Sequence, residues 1–272
     1  MPELPEVEFA ARTLRRWLKG QRIEDAEAPD TRVFRGTDRA AFARELVGQK
    51  LEWIERRGKY LLIAFTNNVG LLSHLGMTGK WMRVPRTGEI PSHVRASLTL
   101  SRDGFVLYRD PRLFGRIALH PADRLFELKE IRELGPDPLV DGIDERTLYD
   151  RLHRTQRAVK VAIMDQAVLA GVGNIQATDA LFHAHVHPAR SASSLTPKEV
   201  RAVAEGIRKS IDDTLALQGD GDAIEYVEEP GAENPFVVYG RAGHTCPRCT
   251  GTLEKIDLGG RTSVFCPRCQ HA

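Results

Sequence analysis

All four cysteines of the 272-residue chain fall between Cys246 and Cys269, as two Cys-x-x-Cys pairs with sixteen residues between them. Thiolates at this spacing can sit tetrahedrally around one zinc ion, each at about 2.3 Å, with a β-hairpin running from one pair to the other. Cys246, Cys249, Cys266 and Cys269 fill every position, so the site is closed and the expected zinc is structural; a redox pair or iron are the other readings of such cysteines. Confinement of the cysteines to the last tenth of the chain also argues against a disulfide framework spread over the fold. Gly259, Gly260 and Arg261 fall at the hairpin tip, which suits it to placing one cation against phosphate.

The rest of the chain is long enough for two domains with sizeable cores. Its 39 basic and 37 acidic residues nearly cancel, leaving a net charge of +2 that by itself points to no polyanion. Distribution says more than the sum. Five basic residues against two acidic ones lie between Arg151 and Arg190, and five against two between Arg241 and the end, whereas GDGDAIEYVEEPGAEN between them has six acidic residues and no basic one. No apolar run approaches the roughly twenty residues of a membrane helix, and the basic-then-apolar start of a signal peptide is missing, so the expected location is cytoplasmic.

The opening segment, MPELPEVEFAARTLRRW, reads as an amphipathic helix beginning at Pro5, with Val7, Ala11, Leu14 and Leu18 on one face and Gly20 as the stop. That pattern leaves Pro2 and Glu3 without a role. Five β-rich runs follow, KYLLIAF, VGLLSHL, RASLTLS, GFVLYR and GRIALH, split by Asn, Gly, Pro and Asp, and predict a sandwich or barrel-like pair of sheets. From about Asp144 the period turns helical. Thr196, Pro197 and Glu199 form a capping-box start for the helix through Gln218. Upstream, AVKVAIMDQAVLAGVGNIQATDALFHAHVHP predicts a helix, a turn broken at Gly171 and Gly173, and a second helix from about Ile175.

PELPEVE, RRGKYLL, HLGMTG, DPRLFGR, AGVGNIQA and the four-cysteine finger, colinear from residue 2 to residue 271, together resemble the formamidopyrimidine-DNA glycosylases, bacterial base-excision enzymes related to endonuclease VIII. The resemblance implies an α+β multidomain fold. A helix-capped β-sandwich would occupy residues 1–125, a helix–two-turn–helix domain 126–235 and a zinc finger 236–272, with DNA held between the halves. It implies a bifunctional glycosylase and abasic-site lyase that flips out oxidised bases from double-stranded DNA, acting as a monomer in the bacterial cytoplasm.

Pro2 then has a chemical purpose. With Met1 removed, its secondary amine can attack the sugar C1′ and expel the base, and the resulting iminium stays cationic without a proton and so favours strand cleavage. By resemblance Glu3 is the acid/base partner and Glu6 the supporting carboxylate; a first-turn carboxylate facing the helix dipole remains the other reading of Glu6. Lys59, taken alone a solvated edge residue, becomes the cation beside the lesion. Met77, Arg112 and Phe114 match the side chains that fill the hole left by the extruded base. Asn174 and Arg261 are assigned to the flanking phosphates, Arg261 also to the second elimination, and Lys160 and His93 are additional phosphate candidates. His183, His185 and His187 show no ligand spacing.

Three positions depart from the family pattern. Leu113 stands where a second arginine commonly follows Arg112, and Gln176 replaces a frequent tyrosine. The acidic segment after Gln218 lacks the Gly-Gly-Ser/Thr start of the loop that folds over an extruded 8-oxoguanine, which points lesion preference toward formamidopyrimidines or oxidised pyrimidines. The alternatives are an endonuclease VIII-like pyrimidine glycosylase, an abasic-site lyase, a silent damaged-DNA binder and a zinc-ribbon interaction module.

Overall fold

The first helix, α1 (Leu4–Leu18), starts one residue before the expected Pro5 because Glu3 and Glu6 form a capping box ahead of it. Val7, Ala11, Leu14 and Leu18 are all buried, and the helix stops at Lys19, before Gly20 at φ +72°. The computed structural model describes residues 2–271 except 30, 35–37, 103 and 219–232. These residues divide into two compact units, one of residues 2–132 with Gln218 and one of residues 133–217 with 233–271.

In the first unit α1 and α2 (Arg39–Leu46) accompany eight strands: β1 (Ile23–Glu27), β2 (Leu51–Arg57), β3 (Tyr60–Phe65), β4 (Val69–His74), β5 (Lys80–Val84), β6 (Val94–Leu100), β7 (Gly104–Arg109) and β8 (Arg116–Pro121). They form two antiparallel four-stranded sheets, ordered β1-β6-β7-β5 and β2-β3-β4-β8. The five expected runs are β3, β4, β6, β7 and β8. One apolar cluster draws Ile23, Leu98, Val106 and Trp81 from the first sheet, Ile54, Ile63, Leu71 and Ile117 from the second, and Val7, Leu14 and Trp17 from α1. Each such side chain contributes about 1.5–3 kcal/mol on burial. The helix-capped sandwich is therefore one core with three layers feeding it. A short α3 (Lys129–Arg132) closes the unit.

Register decides what meets at the sheet ends. Arg57 pairs with Tyr60, Tyr60 with His74 and His74 with Arg116. The β2–β3 turn, the β4–β5 loop and the β7–β8 loop thus emerge at the same end of one sheet. Along β2, Arg15 of α1 donates to the Ile54 carbonyl while Glu8 reaches Arg56, so α1 runs antiparallel to the strand and its first residues lie toward that end.

The second unit contains α4 (Glu145–Leu152), α5 (Val159–Ile163), α6 (Asn174–His183), α7 (Pro197–Gln218) and the hairpin β9 (Glu254–Leu258) and β10 (Arg261–Phe265). The α7 start is as read, with Glu199 accepting from the Thr196 amide at 2.8 Å and Thr196 Oγ1 accepting from the Glu199 amide at 3.3 Å. The helix expected before Gly171 is shorter than its pattern suggests. It ends at Ile163, because Asp165 accepts from the Ala167 amide and Gln166 bridges the Met164 and Val172 carbonyls and the Gly171 amide, giving the connecting turn its own hydrogen bonds. Phe182 of α6 packs with Val238, Leu253, Val264 and two cysteines, so helix and hairpin share one small core.

Candidate active site

Pro2 and the whole start of α1 are buried, with Glu3 at 0% and Glu6 at 6% exposure. Glu6 Oε2 accepts from the Glu3 amide at 2.8 Å, so this carboxylate does more than face the helix dipole. Burial, and next the neighbouring Glu3 carboxylate, push Glu6 up to about 7. A carboxyl that gains and loses its proton near neutrality thus sits one helical turn from Glu3, beside the proline.

Lys59 is half-buried in the two-residue Gly58–Lys59 turn at the sheet end described above. Around it the two long loops are pinned by one buried carboxylate, Asp110. Its Oδ1 accepts from Thr78 Oγ1 at 2.7 Å and from the Arg112 amide at 3.3 Å, and its Oδ2 accepts from the Gly115 amide at 2.8 Å. The loops also touch backbone to backbone. At Gly76, with φ +65°, a Cβ would come within 2.4 Å of the Phe114 carbonyl carbon, so no other residue fits. Met77 is half-buried next to this contact, and Phe114 stands 50% exposed with the Arg112 guanidinium 5.0 Å from its ring centroid. Leu113, the departure between them, takes φ +60° and turns its side chain onto the apolar core. The exposed aromatic is thus carried on a firmly held loop. His93, exposed at φ +66°, joins the same end through its carbonyl, which accepts from the Asp110 amide at 3.0 Å.

In the second unit Asn174 opens α6 at 8% exposure, and its Oδ1 is among the buried side-chain atoms with no hydrogen-bond partner. An orphaned buried side-chain oxygen wants an external hydrogen-bond donor, and the positive end of the α6 dipole favours an anion beside it. Gln176, the second departure, is buried and satisfied: it donates to Thr214 Oγ1 at 3.0 Å and accepts from Ser210 Oγ at 2.7 Å, both on α7. Arg261 is exposed beside the Gly259–Gly260 turn, where both glycines have positive φ as a type I′ hairpin requires.

Lys160 differs from its sequence reading. It is 0% exposed, and its Nζ donates to Ser263 Oγ at 2.7 Å and the Thr262 carbonyl at 3.1 Å. A buried ammonium must spend its donors on protein acceptors, so this lysine holds β10 onto α5 in place of reaching the surface.

The family model of the formamidopyrimidine-DNA glycosylase N-terminal domain matches residues 1–117, that of the H2TH domain matches residues 134–225, and that of the zinc finger found in FPG and IleRS matches residues 243–272. A formamidopyrimidine-DNA glycosylase of Laribacter hongkongensis is 38% identical over 275 residues, covering 99% of this chain and 100% of that protein. The chain belongs to the formamidopyrimidine-DNA glycosylase family. A relative of the same name from Desulfitobacterium hafniense is 36% identical over 274 residues, again covering 99% of this chain and 100% of its own. Among solved structures, the Lactococcus lactis Fpg in complex with abasic-site DNA superposes at a TM-score of 0.89 with 29% identity, covering 99% of this chain and 100% of that one. The same protein in complex with DNA containing an oxidised pyrimidine gives 0.90 with 30% identity, both chains covered to 100%. By family this is a DNA glycosylase of base excision repair.

The glycosylase family's finger fits a metal here on geometry. The four sulfurs lie within 4.8 Å of one another, with Cys246 to Cys269 at 3.9 Å and Cys249 to Cys266 at 3.4 Å. Bonds of about 2.3 Å from a tetrahedral ion put sulfurs about 3.8 Å apart. The sulfurs also crowd one another: burial and then the neighbouring thiols push Cys269 up to about 12, while the Gly251 amide draws Cys249 down to about 7. One Zn²⁺ shared by all four removes that conflict. Among the described residues, no helix is long and apolar enough to cross a membrane.

Two supporting residues escape sequence reading in this family member. Asp110 is one, hidden inside the DPRLFG motif. Asp179 of α6 is the other: its buried carboxylate accepts from the Val237, Val238 and Tyr239 amides at 2.7, 3.0 and 2.9 Å, holding the strap that leads to the finger. The only sequence signal is a lone acid in the otherwise apolar stretch ATDALF.

Proposed function

We propose that the chain is a bifunctional glycosylase and abasic-site lyase acting on double-stranded DNA with an oxidised base. The observation that carries this reading is the buried Pro2, Glu3 and Glu6 at the helix start, placed toward the sheet end that also bears Lys59 and the two pinned loops. After Met1 is removed, the Pro2 nitrogen attacks C1′ and the glycosidic bond breaks. Its electron pair leaves with the base, which takes up a proton; the proline nitrogen then loses its proton, its lone pair expels O4′, which is protonated, and the ring-opened sugar carries an iminium at C1′. Glu3 shuttles protons between sugar and base, and Glu6, titrating near 7, holds Glu3 in place and serves as the second proton reservoir.

The iminium then acidifies C2′. Loss of that proton expels the 3′ phosphate, and a second elimination, with Arg261 as the cation on the departing phosphate, expels the 5′ phosphate. Lys59 stabilises negative charge beside the lesion. Met77, Arg112 and Phe114 enter the space left by the extruded nucleotide, where Arg112 donates to the orphaned base and Phe114 fills the stack. Asn174, His93 and Arg261 contact backbone phosphate, and Lys160 contributes by holding the hairpin that carries Arg261. The three functional pieces are residues 1–125, 126–235 and 236–272, in a monomer of the bacterial cytoplasm.

The acidic segment that bears on lesion choice, residues 219–232, lies outside the described residues. On sequence grounds it favours formamidopyrimidines and oxidised pyrimidines over 8-oxoguanine. Single-turnover excision on matched duplexes with each lesion tests both parts. Excision of formamidopyrimidine that is abolished by Pro2→Gly is expected; equal or faster excision of 8-oxoguanine rejects the lesion order, and tight binding without excision of any lesion supports the silent binder.

A further inference from the structure

One charge pair in the first unit, a buried arginine and a half-buried glutamate, takes no part in the reaction. Arg56 of β2 is 3% exposed. Its Nε donates to Oε2 of Glu8 on α1 at 3.0 Å, and its Nη1 donates to the Gly58 carbonyl at 3.0 Å. Glu8 divides its two oxygens, since Oε1 accepts from Arg12 at 2.9 Å and leaves Oε2 for Arg56. A largely buried pair of this kind is a weak source of stability, because desolvation offsets most of the attraction. What it fixes is geometry.

The geometry concerned is that of Lys59. Gly58 and Lys59 are the two central residues of the β2–β3 turn, and the Gly58 carbonyl belongs to the peptide plane between them. In a two-residue turn that plane has two settings. Flipping it interconverts types I′ and II′ and reverses the sign of φ at the second residue. Gly58 has φ +57° and Lys59 is not among the residues with positive φ, so the type II′ setting is present. Arg56 grips the oxygen that would swing away in the other setting. At its opposite edge the same guanidinium holds Glu8, five residues and about 7.5 Å along the helix axis from Glu3.

We infer that Arg56, anchored by Glu8, is a positioning residue for Lys59: it locks the peptide leading into the lysine and keys that turn to the helix bearing Pro2, Glu3 and Glu6. The inference rests on the reading of Lys59 given above. Arg56 touches neither substrate nor reacting atoms and acts only through its neighbour.

Arg56→Lys keeps the charge and the approach to Glu8, but one ammonium lacks the planar fork that serves both acceptors. Single-turnover base release, measured with enzyme saturating a formamidopyrimidine duplex, is expected to slow at least about tenfold, with DNA affinity and zinc content unchanged. The loss is expected to vanish when Lys59→Met is already present, since a residue acting through Lys59 has nothing left to place. An unchanged rate, or an equal loss in both backgrounds as a general structural role requires, overturns the inference while leaving Lys59 in its role. Full activity of Lys59→Met alone is a different result, and removes the reading of Lys59 together with the inference. If Arg56→Lys fails to fold, Glu8→Gln carries the same cycle: a loss present with Lys59 and absent without it supports the inference, and any other pattern overturns it.

Discussion

The sandwich and the helix-finger unit solve the same problem, how to hold exposed functional side chains still, by different means. In the sandwich an apolar cluster spanning both sheets and α1 supplies the rigidity, and buried polar groups only aim the loops: Asp110 pins the wedge, and Arg56 pins the lysine turn. In the second unit the core under the finger is small, built on Phe182, Val238, Leu253, Val264 and two of the cysteines themselves. The helices behind it have their own buried apolar side chains, among them Leu152, Ile163, Val203 and Ile207, but at the finger itself the polar and metal-binding groups are the scaffold. Four sulfurs, the Asp179 carboxylate and the Lys160 ammonium do what a sheet core does in the first unit. The proposed catalytic geometry is thus tied to hydrophobic packing, whereas the proposed phosphate grip of Arg261 is tied to an ion.

The largest break in that comparison comes from the metal. Stripping zinc with a strong chelator, or Cys266→Ser, is expected to lower DNA affinity about a hundredfold or more by gel shift, because zinc binding and folding of such a hairpin are one event. The thermal transition of the sandwich is expected to persist. Loss of both transitions together would mean that the sandwich depends on the finger.

Next is Asp110→Ala, which orphans the buried Gly115 amide, at about 1–3 kcal/mol, and takes one partner each from the Thr78 hydroxyl and the Arg112 amide. Base release is expected to fall about ten- to a hundredfold while lyase activity on a preformed abasic site, which has no base to replace, falls much less. Equal losses on both substrates would detach the wedge from Asp110.

A finer contrast separates Arg261 from Lys160. Arg261→Ala should reduce the slope of log affinity against log salt by about one phosphate contact, whereas Lys160→Met should leave that slope unchanged and lower the melting temperature of the second unit. A reduced slope for Lys160→Met would restore it as a phosphate ligand.

The smallest effect concerns proton uptake at Glu6. Its value of about 7 in the fold stands above the ordinary 4.5, so the folded chain holds a proton that the unfolded chain releases. The resulting stability is fully present below about pH 4.5 and is lost as pH rises through about 7. Glu6→Gln should flatten the fall in melting temperature across that interval, and an unchanged slope in the variant would show that another group carries it.

Much of this was legible in the chain because it is written in local patterns. The cysteine spacing, the Thr196 to Glu199 box and the apolar alternation of β3, β4, β6, β7 and β8 each report structure through neighbours a few residues apart. Strands β1, β2 and β5 were not legible: IEDAE, LEWIERR and KWMRV are rich in charge, and only pairing with distant strands makes them extended. Asp110, Asp179 and Arg56 hide for a related reason, since each serves backbone groups that meet it only in the fold. Lys160 misled because a lysine in a basic block reads as a surface cation, while its acceptors lie about a hundred residues further on.

The central claim is that Pro2 is the nucleophile, and borohydride reduction during reaction tests it most directly. Intact mass must first show a chain lacking Met1. Reduction on a formamidopyrimidine duplex and on an abasic duplex, followed by peptide mapping, is then predicted to give a covalent sugar adduct on the nitrogen of Pro2. An adduct on Lys59 or another amine, or none despite tight binding, would contradict the account.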